Sequence, residues 1–596
     1  MRCKYIILIV LISTITVYAK NYKGAELRTK QAYLYGRFEV RYKASWGSGQ
    51  TSTFFTYNDD YPNTPWNEID IEILGRYDDD VQFNTITNYQ TNHLRHQFVS
   101  FNPGLDFHTY GIEWTPSYVA WFIDGVEVYR QTGEHISLLK YPQKIMMNIW
   151  NPAYSDWVGE FDDRTLPFFA YYDFVSYSSY TPGQGNCGTD NNFTLQWTDE
   201  FNNFNSSRWQ KATHTWNGNN SDFIQENCLF KDGKMILCLT DNYNTGYTDK
   251  NPPVVMWAIA EDDSVIVHFS ENVTETSAEN LLNYVIPGAQ VHNARLLRDK
   301  RTVVLRVNGM LKSNTYNLVC LGVEDEMENH NKLQGQNIPI TSIPTIYFPF
   351  KINVGSNKYN DYKNDQAWDY QKNYGYEGGS SRGMTQSVSG TEDDPIFRTW
   401  RQGLAAYRIR VPNGVYNIKM LFSENIFENS GLRCFDVYIE NVLVIENLDI
   451  FKEVGKHVAH IEGINNVSVD DGIIDVHFSA VVNEPVLSGL IIEQVSTGIV
   501  EKESGIKEFL LKANYPNPFN NKTIIPFVLN DYGLVFIKIF DLTGRLVYSK
   551  NMPVQSPGRY KFIWKYDGPS GIYICRLDFL TNNSLYSSSR KMLYVK

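Results

Sequence analysis

Glu68, Asp70 and Glu72 alternate with Ile69, Ile71 and Ile73 in the stretch from Trp66 to Leu74. On a β-strand, residues i, i+2 and i+4 share a face. This stretch therefore sets three carboxyls on one side and three isoleucines on the other. Neighbouring carboxylates repel, so a sequence that keeps them together needs a use for them. Glycoside hydrolysis is one such use: it needs a carboxylate nucleophile and a carboxylic acid flanking the scissile bond. The Cα atoms of Glu68 and Glu72 are roughly 13 Å apart on an extended strand. Side chains leaning inward bring the carboxyls to about 5–5.5 Å, the separation of a retaining enzyme. Asp70 lies between them, where its charge favours the protonated form of a neighbour, as a general acid requires. An amphipathic strand with a solvated acidic face has the same spacing, and spacing alone does not separate the two.

The elements that must position these groups read as short strands. Residues 20–246 run in strand-like stretches broken by Gly, Asn, Asp and Pro, with no long helical period, which predicts an all-β sandwich. At 596 residues the chain spans several domains. Its 40 Tyr, 33 Phe and 13 Trp supply strand formers and rings that stack on sugars. A net charge of −12 argues against nucleic acid as a partner. Residues 1–19 read as a secretory signal peptide: a basic start at Arg2 and Lys4, an apolar run from Tyr5 to Val17, and a cleavage site at Val17-Tyr18-Ala19. No later stretch approaches 18 apolar residues, so the mature chain has no transmembrane segment. Cys3 leaves with the signal. The six remaining cysteines are too sparse for a disulfide framework, and most read as small core hydrophobes. A Cys187–Cys228 bridge stays open.

Glu68-Ile69-Asp70-Ile71-Glu72, followed by Val81-Gln82-Phe83-Asn84, resembles the active-site strand of glycoside hydrolase family 16. Within that family it looks like the lichenases, which cleave mixed-linkage β-1,3-1,4-glucan. Phe107–Trp114 and Lys144–Trp150 resemble two further strands of the family. The resemblance implies a jelly roll with a cleft across its concave face and no cofactor for catalysis. Glu68 becomes the nucleophile, Glu72 the proton donor and later the base, and Asp70 the residue that orients Glu68. It also implies that Phe55, Tyr57, Trp66, Gln82, Asn84, Trp150 and Trp157 line the cleft, with Glu26 and Arg28 opposite and Asn219 a further candidate. A structural calcium on the convex face would use the Asp173 carboxylate and the backbone carbonyls of Glu200 and Gly233. The strict period-two spacing, with no residue inserted before Glu72, is the lichenase form. A laminarinase on the same fold, cleaving β-1,3-glucan, is the alternative within the family. A non-catalytic glucan-binding surface protein is the alternative outside it, and the intact acidic set argues against it.

The order of the parts is unusual. Leu195–Phe201 and Asp232–Leu237 resemble the segments that open the domain in most family members, yet here they follow the acidic strand. The catalytic domain, residues 20–246, therefore looks circularly permuted. Residues 252–340 resemble a bacterial immunoglobulin-like module. Residues 345–496 resemble a malectin-like carbohydrate-binding domain, with Tyr359, Tyr362, Tyr374, Tyr376 and Phe427 as loop aromatics for a second sugar. Residues 497–509 read as a linker. Residues 510–596, which begin around Pro516-Asn517-Pro518-Phe519 and close on Lys591–Lys596, resemble a type IX secretion sorting domain. The secretion machinery is thus an expected partner, and the cell surface or the medium the expected location.

Overall fold

The computed structural model describes residues 19–495 and 509–596, apart from 89, 91, 92, 262, 311–314, 470, 530–532, 556, 557 and 582–584. The signal peptide up to residue 18 and the linker up to residue 508 lie outside the described residues. The chain forms two compact units, divided after Val495.

Residues 22–241 build a sandwich of β-strands. One layer has the strand order Arg95–Phe98, Asp80–Ile86, Glu68–Leu74, Thr51–Tyr57, Lys144–Trp150, Tyr22–Thr29. The sheet continues through Lys234–Asp241, Phe168–Tyr180, Gly36–Lys43, His108–Trp114, Tyr118–Ile123 and Val126–Thr132 to make the other layer. The two layers meet over a shared core. Phe83 of the first stacks on Trp121 of the second, with ring centroids 5.3 Å apart. The Tyr172 hydroxyl of the second donates to the Thr53 carbonyl of the first at 2.9 Å.

Ile69, Ile71 and Ile73 point into this core and are fully or almost fully buried. Each contributes roughly 1.5–3 kcal/mol by leaving water. That burial holds the strand in register, and its other face is obliged to carry Glu68, Asp70 and Glu72 outward. A one-residue slip would exchange the two sets.

Residues 193–241 are woven into this sandwich. Lys234–Asp241 pairs with both Tyr22–Thr29 and Phe168–Tyr180, and Phe193–Asp199 pairs with Phe168–Tyr180. Trp209–Lys211 and Ser221–Phe223 flank the first strand.

Seven strands between Val255 and Ser342 form a separate sheet with its own core around Val265, Val267, Phe269 and Leu305. Residues 350–494 form two further sheets that enclose Tyr407, Tyr416, Phe422 and Phe478. Tyr362 and Tyr374, expected as loop aromatics for a sugar, are 2% and 7% exposed and belong to the packing of this module. Tyr376 is capped by the Arg401 guanidinium.

The second unit is a small β-sandwich of three and four strands around Phe519, Trp564 and Tyr594. Cys228, Cys238, Cys320 and Cys575 are buried and free. The Cys187–Cys228 bridge does not form. The Cys187 thiol instead donates to Ser178 Oγ at 3.5 Å, while Cys228 packs in the core.

Candidate active site

Strand register converts the sequence pattern into a site. Glu72 is paired with Thr53 on one side and Gln82 on the other; Asp70 with Phe55 and Asn84; Glu68 with Tyr57 and Ile86. Asn148 then pairs with Thr53 and Glu26 with Asn148, while Met146 pairs with Phe55 and Arg28 with Met146. Two rows of side chains thus cross the layer, Glu26–Asn148–Thr53–Glu72–Gln82 and Arg28–Met146–Phe55–Asp70–Asn84. They form the floor of a cleft of about 800 Å³. Pairing through the acidic strand shows no register shift.

Of the expected binding residues, Glu26, Arg28, Phe55, Tyr57, Trp66, Gln82, Asn84, Trp150 and Trp157 line this cleft with the three acids. Asn219 does not. Its Oδ1 turns back on its own loop to accept from the Ser221 amide and hydroxyl, both at 2.8 Å. The neighbouring Gly218 has φ +105°, and a Cβ there would stand 2.5 Å from the Tyr154 hydroxyl. The Asn217-Gly218-Asn219 motif is therefore a turn requirement.

The cleft also contains His214 and Trp216, which sequence reading missed. Trp216 extends an aromatic strip, its ring 4.8 Å from Trp150, with Trp157 5.9 Å beyond on the other side. The only sequence signal was a His and a Trp two apart in an otherwise polar, Asn/Gly-rich loop.

The polar groups are held in place by one another. Trp157 Nε1 donates to Gln82 Oε1 at 2.9 Å. Thr53 Oγ1 donates to Asn148 Oδ1 at 2.6 Å, and Asn148 Nδ2 to Glu26 Oε2 at 3.3 Å. The His93 amide donates to Asn84 Oδ1 at 2.9 Å. From beneath, Trp121 Nε1 donates to the Asp70 carbonyl at 3.0 Å.

The three carboxyls differ in their donors. Burial pushes Glu68 up to about 7, but hydrogen bonds from Trp66 and Asp70 oppose the rise. Trp66 Nε1 stands 2.6 Å from Glu68 Oε2. Burial first, then the charge of Glu68, pushes Glu72 up to about 8, and among the described residues no donor is set against it. Asp70, only 3% exposed, is driven well above the ordinary carboxylate range by burial and by Glu68 and Glu72 on either side. Its shift is upward like those of its neighbours, which favours a neutral Asp70 over a fixed charge between them. A neutral carboxyl donates a hydrogen bond, and Glu68 is its acceptor. Glu68 thus has two donors and is the readiest to ionise, whereas Glu72 retains its proton.

The residues expected around calcium do converge. Tyr172 pairs with Met235 and Val175 with Asp199, so Asp173 lies between the turns that carry Gly233 and Glu200. However, the Asp173 carboxylate is already bound by the Arg41 guanidinium at 2.5 Å. Calcium takes six to eight oxygens, and a cation already stands within this short donor set, so as arranged it does not fit. Elsewhere, Asp249, Glu271 and Asp325 place carboxylate oxygens within 4.8 Å of one another.

The model of "Glycosyl hydrolases family 16" matches residues 9–166. A "Beta-glucanase" of Fibrobacter succinogenes is 40% identical over 245 residues, covering 40% of this chain and 70% of that protein. The chain belongs to glycosyl hydrolase family 16. A family 16 similarity also extends to a "Beta-glucanase" of Acetivibrio thermocellus, 43% identical over 157 residues; these make up 26% of this chain and 46% of the relative. Among solved structures, a Bacillus licheniformis β-glucanase matches at 34% identity and TM-score 0.25, covering 26% of this chain and 77% of that one. A lichenase derived from a mouse hindgut metagenome matches at 33% identity and TM-score 0.24, covering 27% and 88%. Beyond the family 16 portion, the malectin domain model matches residues 348–495 and the secretion system C-terminal sorting domain model residues 513–593. The sorting domain marks the protein for export to the cell surface or beyond it. Among the described residues no helix is long and apolar enough to cross a membrane.

Proposed function

We propose that this glycosyl hydrolase is an endo-acting, retaining β-glucanase that cleaves β-1,4 bonds following a β-1,3-linked glucose in mixed-linkage glucan. One observation carries the reading: Glu68, Asp70 and Glu72 stand on one unbulged strand, facing a cleft walled by amides and tryptophans. The Glu68 carboxylate attacks the anomeric carbon while Glu72 gives its proton to the departing glycosidic oxygen. A covalent glycosyl-enzyme results. Glu72, now ionised, takes a proton from water; the water attacks the same carbon and displaces Glu68, with net retention. Asp70 donates to Glu68 and keeps its oxygen aimed. Gln82, Asn84 and Asn148 offer amides to sugar hydroxyls, and the tryptophans offer faces to sugar rings.

The absence of a register shift supports the lichenase linkage preference, because a bulge before the final acid would re-aim its side chain. Product analysis tests it. Barley β-glucan should release mainly a trisaccharide and a tetrasaccharide with a β-1,3 bond at the reducing end, and proton NMR should show the β-anomer first. Faster hydrolysis of laminarin, or an initial α-anomer, overturns the reading.

We further propose that residues 20–246 are one permuted catalytic domain, supported by the pairing of Lys234–Asp241 with Tyr22–Thr29 and by an alignment of 245 residues with the Fibrobacter relative. Residues 252–340 are proposed as an immunoglobulin-like spacer and 345–496 as a carbohydrate-binding module. The tail from 510 is proposed to be read by a type IX secretion machinery. Calcium at Asp173, Glu200 and Gly233 would require Arg41 to swing away. A melting temperature higher in calcium than in chelator supports that site, and an unchanged one removes it.

A further inference from the structure

The row of side chains across the cleft floor does not stop at Gln82. Its next member is His96, on the edge strand Arg95–Phe98, and against that edge stands the malectin-like module. Arg95 reaches Asp436 and the Tyr438 hydroxyl, each at 3.0 Å. Ser479 Oγ donates to the His96 carbonyl at 3.2 Å. The Phe98 and His477 rings lie 4.2 Å apart. Ala405 packs against the cluster of Leu74, Tyr77 and Val158, which also carries Trp157, the residue that holds Gln82.

Between the module and the catalytic sandwich lies a cavity of about 940 Å³. Leu94 lines both this cavity and the catalytic cleft, so the two spaces adjoin. Tyr129, His93 and His135 form one wall; Gln402, Phe427 and the exposed Val481 stand on the other. The His93 and His135 rings stack at 3.8 Å. Burial holds both imidazoles below their ordinary range, His135 at about 4, so they are uncharged at neutral pH. The cations of the lining are already engaged, Arg130 by Glu127 and Arg433 by Glu424. Gln402 gives its Nε2 to Glu484 at 2.6 Å and leaves its Oε1 buried without a partner among the described residues. An acceptor left so is costly, and an entering hydroxyl satisfies it. These donors and acceptors, with the Glu484 carboxylate also in the lining, stand beside a tyrosine and a valine and suit a polyhydroxylated chain with apolar ring faces.

We propose that this cavity continues the catalytic cleft: one β-glucan strand crosses the carboxylates and its end runs over Leu94 and His96 to lie between the two modules. The malectin-like module then supplies distal subsites of the hydrolase itself. This rests on the β-glucan reading above.

The test uses the full chain, the variants Gln402→Ala and Val481→Asp, and mixed-linkage oligosaccharides of rising length up to barley β-glucan. Wild-type kcat/KM should keep rising with length past the point that fills the cleft. Each variant should lose about fivefold on the polymer, the scale of one or two sugar contacts, and the loss should shrink as the oligosaccharide shortens. Variants that match wild type at every length overturn the proposal, as do variants that lose equally at every length with an unchanged melting temperature. Failure of the β-glucan reading shows separately, as a wild type that does not cut barley β-glucan.

Discussion

The three carboxyls share a strand face but not a chemical state, and the donors around them decide which does what. Glu68→Ala and Glu72→Ala should each lower turnover by about three orders of magnitude or more while leaving the fold intact. Azide should partly rescue Glu68→Ala, giving an inverted glycosyl azide; near-wild-type turnover of that variant would sink the assignment. The profile of kcat/KM against pH should be bell-shaped, with an acid limb near 7 from Glu68, which must be ionised, and an alkaline limb near 8 from Glu72, which must be protonated. Asp70 gives the sharper test. Asp70→Asn keeps a donor beside Glu68 and should cost about tenfold. Asp70→Ala removes the donor, worth roughly 1.5–3 kcal/mol to a charged acceptor. It should move the acid limb to higher pH, because Glu68 loses a bond that favours its ionised form. An acid limb that stays put in Asp70→Ala would show that Asp70 does not donate to Glu68. Stability follows the same logic. The folded state raises Glu72 above its unfolded value, so the fold keeps full stability below the unfolded pKa, near 4.5, and loses it as pH climbs through about 8. Glu72→Gln should therefore melt at the wild-type temperature at pH 4 and above it at pH 9.

At the scale of elements, the acidic strand works because its neighbours Thr51–Tyr57 and Asp80–Ile86 hold it in register, and other parts of the sandwich and cleft come from far away in the chain. A fragment of residues 20–186 lacks the strand Lys234–Asp241 between the two layers, and with it His214 and Trp216 of the cleft. It should be insoluble or inactive, whereas a fragment of 20–250 should be soluble and cut barley glucan. An active 20–186 fragment would remove the permutation argument. The acidic strand was legible from its period-two alternation, since isoleucines that must be buried fix where the acids point. Gln82 and Asn84 followed from the same logic one strand over. What escaped was contributed by irregular structure. His214 and Trp216 sit in a loop with no periodicity to read, and Asn219 resembled a ligand residue while serving its own turn. The rings at Tyr362 and Tyr374 could not be told from sugar platforms, because packing depends on neighbours from other elements, such as Phe397 and Leu421 in the cluster of Tyr362. Nor does any local pattern announce that Arg95 pairs with Asp436 across more than three hundred residues.

On the scale of the whole molecule, the sorting domain forms a compact unit of its own after Val495. Removing residues 510–596 should leave the purified enzyme as active as the full chain but strand it in the periplasm of its host; surface delivery of the shortened chain would refute the sorting role. The strand Tyr22–Thr29 has a further consequence for the life of the chain. It lies inside the sandwich, and its pairings are with Lys144–Trp150 and with strands after residue 208. It precedes the other described strands and is among the last to be paired. Contacts so distant in sequence make folding slow, because the loop must close before any pairing rewards it. The chain must emerge as far as Asp241 before the layer that holds the carboxylates can close. During that interval the row of buried isoleucines is an exposed, adhesive strand. This distant pairing turns the speed of translocation, relative to the speed of collapse, into a determinant of how much enzyme is made.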